Sequence, residues 1–149
     1  MEPDPVVDIV SFIKQSAVGC IHFYGEWGMF TIEKIMARFE FVEMAFLTEP
    51  RAGVSALTRD STLPVPIACD PDLVCASRPN GELVESLRSM GRRFNNCRFV
   101  VVEHHHEDDL DELSDWLSDN DFHLRQMCGG NGIFVASLFY RPATTGTRS

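Results

Sequence analysis

The sequence predicts a three-layer α/β domain: a mostly parallel sheet with helices on both faces and a C-terminal antiparallel hairpin. Three observations carry this. Apolar stripes at helical spacing alternate with short β-rich runs along the chain. Phe99-Val100-Val101-Val102 is a continuous apolar run, the kind buried on both faces of a parallel sheet. Gly129-Gly130-Asn131-Gly132 separates the last two strand-like runs and is a hairpin turn signal.

Taken in order, Val6, Ile9, Val10 and Ile13 recur at three and four residues, as one face of a helix does. Val18 to Tyr24 is a short β-rich run ended by Gly25. Thr31 is placed to cap a second helix whose inward face is Ile32, Ile35, Met36 and Phe39. Phe41 to Leu47 reads as a second strand. From Glu49 to Asn80 the chain is richer in Pro, Ser, Thr and Asp. One short strand, Val65-Pro66-Ile67-Ala68, is expected there, set at a sheet edge by its proline. Asn80 then caps a helix with the stripe Leu83, Leu87, Met90 and Phe94, and the strand from Phe99 to Val102 follows. Asp108 or Asp109 starts the next helix, with acids in its first turn where the dipole favours them. Its inward face is Leu110, Leu113, Trp116 and Leu117. Phe122 to Met127 and Ile133 to Phe139 are the last two strands. The reading is therefore one α/β domain over residues 1–142 and a disordered tail over 143–149.

At 149 residues, 44% hydrophobic and 23% charged, the chain is long and apolar enough to bury a real core. Its formal net charge of -9 argues against a nucleic-acid partner, which needs clustered Lys and Arg. Arg88, Arg92 and Arg93 read as a solvated helix face. No apolar run approaches the roughly 20 residues that span a bilayer. The start, Met1-Glu2-Pro3-Asp4-Pro5, lacks the basic and apolar segments of a secretory signal, so the literal expectation is a cytosolic protein. Among the cysteines, Cys20, Cys69, Cys75, Cys97 and Cys128, none has C-x-x-C spacing. Cys20 and Cys97 sit in or beside apolar runs, as small core residues do. Cys69 and Cys75 flank Asp70-Pro71-Asp72 and are the pair able to bridge in an oxidising compartment.

Three stretches carry candidate chemistry. His104-His105-His106-Glu107-Asp108-Asp109 offers imidazole and carboxylate groups just after a buried strand. Successive strand residues face opposite ways, so only His104 and His106 could share an ion. With no third ligand the stretch reads as an exposed loop capping the next helix. Phe23-Tyr24-Gly25-Glu26-Trp27-Gly28 resembles the active-site approach of thioredoxins, and Val65-Pro66-Ile67 the family's proline before a strand. The redox cysteines are absent, because Gly28, Met29, Phe30 and Thr31 follow Trp27. Gly129-Gly130-Asn131-Gly132 lacks the Lys-Ser/Thr of a phosphate loop and precedes a strand, so it is a turn. No Gly-x-Ser-x-Gly elbow occurs.

A longer comparison spans the chain. The opening helix Val6 to Ile13, the strand Cys20 to Tyr24 and the acidic, cysteine-containing stretch Ile67 to Leu73 follow one another in a particular order. So do Phe94-Asn95 leading into an apolar strand, Asp109 to Leu113, Asp121-Phe122, and finally Leu138-Phe139-Tyr140-Arg141-Pro142. This order resembles the amino-terminal region of arthropod ionotropic receptors, the chemosensory relatives of ionotropic glutamate receptors. The tryptophan-leucine often found in that family after the phenylalanine-asparagine pair is replaced by Phe99-Val100-Val101. The resemblance implies a fragment of a chemosensory receptor, extracellular in that setting. It would be a non-enzymatic domain for assembly or for contact with a protein partner or a second copy. The alternative is a cytosolic α/β protein-binding domain with a redox-inactive thioredoxin-like site. On either reading no catalytic, cofactor-binding or metal-binding residues are expected, and no cofactor.

Overall fold

Four parallel strands at the centre of the protein place everything else. A computed structural model describes residues 5–25, 27–39, 42–47, 55–57, 65–66, 70–77, 81–105, 107–129 and 134–142. The order is α1 (Pro5–Val10), β1 (Cys20–Tyr24), α2 (Met29–Arg38), β2 (Glu43–Leu47), β3 (Ser55–Leu57), β4 (Val65–Pro66) and β5 (Leu73–Ser77). It continues with α3 (Gly81–Ser89), β6 (Phe99–His105), α4 (Asp111–Asp119), β7 (His123–Gly129) and β8 (Phe134–Tyr140), and short 3-10 turns occupy Gln15–Ala17 and Gly91–Phe94. Among the described residues the strands form one sheet in the order β4-β3-β2-β1-β5-β6-β8-β7. β2, β1, β5 and β6 run parallel; β8 and β7 close one side antiparallel and β3 and β4 the other.

Helices cover both faces of this sheet, as expected. Phe99 and Val101 join α1 and α2 side chains (Val6, Ile9, Ile32, Ile35) in one core cluster. Val100 and Val102 join Leu83 and Leu87 of α3 and Leu113 and Leu117 of α4 in the other. The alternation follows from the pleat, since consecutive residues of a strand point to opposite faces. The change of face follows from connectivity. The chain leaves β1 toward β2 through α2, and leaves β5 in the other direction toward β6 through α3. Crossovers of one hand then put the two helices on opposite sides.

Several boundaries depart from the sequence reading, each for a local reason. α2 starts at Met29 with Gly28 as its cap, so Thr31 lies inside the helix rather than capping it. The stripe Leu83, Leu87, Met90, Phe94 is not one helix: α3 ends at Ser89, Gly91 takes the left-handed φ of 56°, and Phe94 is buried from a separate 3-10 turn. α4 starts at Asp111, where Asp109 Oδ1 accepts from the Asp111 N–H at 2.9 Å. It ends in a Schellman-type turn, with Asp121 left-handed at φ 70° and the Phe122 N–H on the Leu117 carbonyl at 2.9 Å. Val65-Pro66 is indeed a short edge strand, paired to β3, which the sequence reading lacked. Asn80, Ile67, Ala68, the Gly130–Gly132 turn and the tail 143–149 lie outside the described residues.

The principal omission is β5. Leu73, Val74, Cys75 and Ala76 are buried at the centre of the sheet, between β1 and β6, in a stretch read as loop-rich. Cys75 is a free, buried thiol of this strand, which rules out the Cys69–Cys75 bridge. Cys20, read as a core thiol, is disulfide-bonded. Trp116 is half-buried, packed on Phe94 with ring centroids 5.5 Å apart, while Leu113 and Leu117 carry the fully buried part of the face. Trp116→Ala is therefore expected to destabilise by about 2 kcal/mol, below the ~3–5 of a fully buried large aromatic. Denaturant melts check this; a loss above about 3 kcal/mol would mean the indole is an integral part of the core.

Candidate functional site

In an open α/β sheet the ligand crevice lies beyond the carboxyl ends of the strands, where the chain switches direction. Here that point is between β1 and β5. β1 ends at Tyr24, and Gly25 adopts φ 89°, a conformation open to glycine and strained for other residues. A Cβ at Gly25 would stand 2.7 Å from the Ser77 carbonyl oxygen, so the two strand ends meet closely only because position 25 has no side chain. Gly28, three residues on, caps α2 without a side-chain hydrogen bond, and a Cβ there would meet nothing within 4 Å. Between these glycines Trp27 folds back: its Nε1 donates to the Tyr24 carbonyl at 3.0 Å and its ring meets Phe23 edge-on at 5.7 Å. Met29 and Phe30, at the start of α2, are 68% and 58% exposed.

The next strand ends continue the row. Ser77 of β5 pairs in register with Glu103 of β6, and the Ser77 hydroxyl donates to Glu103 Oε1 at 3.1 Å. Gly25, Ser77 and Glu103 thus form a contiguous line across three strand ends, with a carboxylate at its far end. At the opposite edge of the sheet Asp72 is structural: its Oδ2 accepts from the Gly19 and Cys20 N–H groups at 2.8 and 3.1 Å, tying β1 to β5.

The histidine run is not the exposed loop expected. β6 continues through His105 because β8 pairs with it along its whole length, His104 opposite Val135 and His105 opposite Phe134. His104 is buried. Its Nδ1 lies 2.9 Å from the His105 carbonyl oxygen and its Nε2 3.0 Å from Ser137 Oγ. A carbonyl only accepts, so Nδ1 carries a proton and donates to it, while Nε2 and the Ser137 hydroxyl are hydrogen-bonded to each other. His105 faces the other way, its ring 4.5 Å from that of Phe134, and its N–H donates to Asp108 Oδ2 at 2.9 Å. His106 lies outside the described residues. Among the described residues no group of three or more His, Cys, Asp or Glu side chains is placed to hold a metal ion. Phe23 to Gly28, read as a thioredoxin-like approach, is instead the first strand-to-helix turn of the parallel sheet, with Glu26 outside the described residues. The functional candidates Ser77 and Glu103 escaped the sequence reading, because their pairing requires β5 to be recognised as a strand.

No family model matches the chain, and no curated protein matches it significantly. Solved structures do. The mitomycin 7-O-methyltransferase MmcR aligns over 93% of this chain and 53% of its own, with TM-score 0.58 and 11% identity. A SAM-dependent methyltransferase from Aquifex aeolicus aligns over 91% of this chain and 88% of its own, with TM-score 0.58 and 11% identity. The tRNA methyltransferase TrmK from B. subtilis aligns over 95% and 67%, with TM-score 0.59 and 6% identity. The chain has the Rossmann-like fold of these methyltransferases. This overturns the reading of the chain as a non-enzymatic receptor domain and, with it, the expectation of chemoreception: the architecture is one shared with methyltransferases. Phe94-Asn95 and Arg141-Pro142 meet in one structural clamp, in which Arg141 Nη2 donates to the Phe94 carbonyl at 2.7 Å. No helix among the described residues is long and apolar enough to cross a membrane.

Proposed function

We propose that the chain is an S-adenosylmethionine-dependent methyltransferase domain whose donor binds at the β1–β5 crevice. One observation carries the reading: the left-handed Gly25, pressed against Ser77 at the switch point of a sheet shared with methyltransferases. The residues fit such a ligand in the first turn. Gly25 lets the backbone of that turn approach closely, and Gly28 leaves open space at the start of α2. Trp27 stands where a dinucleotide fingerprint has its second glycine, but its indole is packed back on Phe23 and Tyr24. When bound, S-adenosylmethionine supplies an electrophilic methyl group for transfer to a nucleophile. The chain's own part is to hold and shield: Gly25 and Gly28 shape the turn, Trp27 keeps its inner wall dry, and Met29 and Phe30 give the crevice an apolar rim. The net charge of -9 favours a small-molecule or protein acceptor over a polyphosphate one.

Isothermal titration with S-adenosylhomocysteine tests this, and binding on the order of micromolar is expected. Gly28→Val is expected to fold, since its φ is an ordinary -68° and the space is open, and to lose binding by at least about 10-fold. Gly25→Ala is expected to lower stability by about 1–3 kcal/mol through backbone strain and the clash with Ser77. Wild-type protein that is folded yet binds neither S-adenosylmethionine nor S-adenosylhomocysteine would overturn the reading.

A further inference from the structure

The amino edge of the sheet, at the end away from the donor crevice, gathers two arginines around one tyrosine. Arg98 stands just before β6, and its guanidinium lies 5.8 Å from the Phe99 ring centroid and 5.9 Å from that of Tyr140. The guanidinium of Arg125, on β7, lies 5.2 Å from the same Tyr140 centroid. An irregularity in the strand brings it there. Leu124 pairs with Phe139 and Gln126 with Leu138, so Arg125 is the extra residue of a bulge. Bulges re-aim side chains and recur beside functional sites. We propose that Arg98, Arg125 and the Tyr140 hydroxyl bind the phosphoryl group of a small molecule, at a site separate from the donor crevice. β6 is seven residues long, so roughly 20 Å of strand separates the two ends. The site stands whether or not the donor reading does.

These two arginines differ from others in what they lack. Arg88 and Arg93 pair with Glu85 and Asp70. Arg38 and Arg141 spend their guanidiniums on backbone carbonyls. Among the described residues, neither Arg98 nor Arg125 has a carboxylate within ion-pair distance. The side chain of Arg98 makes one hydrogen bond, from Nη2 to the Tyr140 hydroxyl at 3.3 Å, and its Nε is buried without a partner. A guanidinium with five N–H donors is thus left with a single neutral acceptor. The Tyr140 oxygen accepts that bond and keeps its own proton to donate. The ring attracts both cations through its π face but neutralises neither. Two like charges on one ring repel, and an anion between them reverses the sign of that interaction. A phosphoryl group carries about -1.5 to -2 charges and three acceptor oxygens, which suits two guanidiniums and a hydroxyl. The net charge of -9 repels long polyanions, so the site fits one such group on a small molecule rather than a nucleic acid.

Titration calorimetry with inorganic phosphate at fixed ionic strength tests this, with acetate as the carboxylate probe. Phosphate is expected to bind at about millimolar Kd or tighter, and acetate at least about 10-fold more weakly. Arg125→Gln, at an exposed position, should fold as wild type does and weaken phosphate about 10-fold. Arg98→Gln should weaken it by at least as much. Arg98→Lys should recover only part of that loss, because an ammonium keeps the charge without the planar fork. Tyr140→Phe keeps the ring under both cations and should cost roughly 3-fold, for the lost hydroxyl alone. In the wild type, phosphate should also shift the Nε–H magnetic resonance signals of Arg98 and Arg125, a readout that stability does not move. If Arg98→Gln does not fold, Arg125→Gln and these signals decide. Phosphate that binds no more tightly than chloride overturns the site, and so does undiminished phosphate binding by Arg125→Gln. Acetate that binds as tightly as phosphate overturns the phosphoryl assignment.

Discussion

Val101→Asp is expected to abolish folding, and Val100→Asp to be as damaging. Both side chains are fully buried, on opposite faces of β6, one in each core cluster. An ionised carboxylate at either site would replace a wholly buried apolar side chain, and burying a charge in this way costs several kcal/mol. Total stabilities of about 5–15 kcal/mol leave little to absorb that. The pair is informative because a one-sided sheet would tolerate one of them. A soluble, cooperatively melting Val100→Asp protein would mean that α3 and α4 do not cover their face, and the same result at position 101 would mean this of α1 and α2. Far-ultraviolet dichroism and denaturant melts of both variants decide it.

Arg141→Ala is expected to cost about 3–5 kcal/mol, an effect that a C-terminal, half-buried arginine would not suggest. Its guanidinium closes the base of the fold. Nη2 donates to the Phe94 and Cys97 carbonyls, both at 2.7 Å, Nε to Cys97 at 3.1 Å, and Nη1 to Asn120 at 3.2 Å. The same group lies 4.4 Å from the Phe122 ring centroid and 5.3 Å from that of Phe94, a cation–π arrangement on two rings. Burial pulls its pKa below the usual arginine value, opposed by Cys97 and Asp121. Truncation removes a donor from four carbonyls at once, those of Phe94, Asn95 and Cys97 in one turn and that of Asn120 in another. Arg141→Lys should recover less than half of the loss, because an ammonium cannot present the planar fork that spans those carbonyls. Denaturant melts of the two variants test this. Full rescue by lysine would reduce the clamp to a simple charge effect.

The two predictions sit on either side of what was legible in the residues. The both-faces burial of Phe99 to Val102 was readable because four consecutive apolar residues have no polar face to turn outward. The roles of Phe94, Cys97, Asn120 and Arg141 as one clamp were not, since they come from separate turns and the contact exists only once the sheet has closed. β5 was missed for a related reason. Leu73 to Ser77 is five residues long, preceded by Asp-Pro-Asp, and lies in a Pro- and Ser-rich stretch. A short apolar run has no periodicity to reveal its type. Only pairing with β1 and β6 makes it a strand. With β5 hidden, the switch point is hidden too, and Gly25 marks only the end of a β-rich run.

The histidine run shows the same division. Apolarity stops at Val102, so the residues alone end β6 there. In the folded protein β8 supplies hydrogen-bonding partners as far as His105, and backbone pairing carries the strand into polar residues. His104 is then drawn into the interior, where Ser137 satisfies it. What the sequence by itself determined is the alternation of helices and strands, the doubly covered β6 and the C-terminal hairpin. These depend on periodicity and on turn residues within reach of one another along the chain. The tertiary structure alone decided the place of β5, the meeting of Gly25, Ser77 and Glu103, and the burial of His104. Each of these depends on which distant strands lie side by side, and pairwise contact across a sheet leaves no mark in the local pattern of residues.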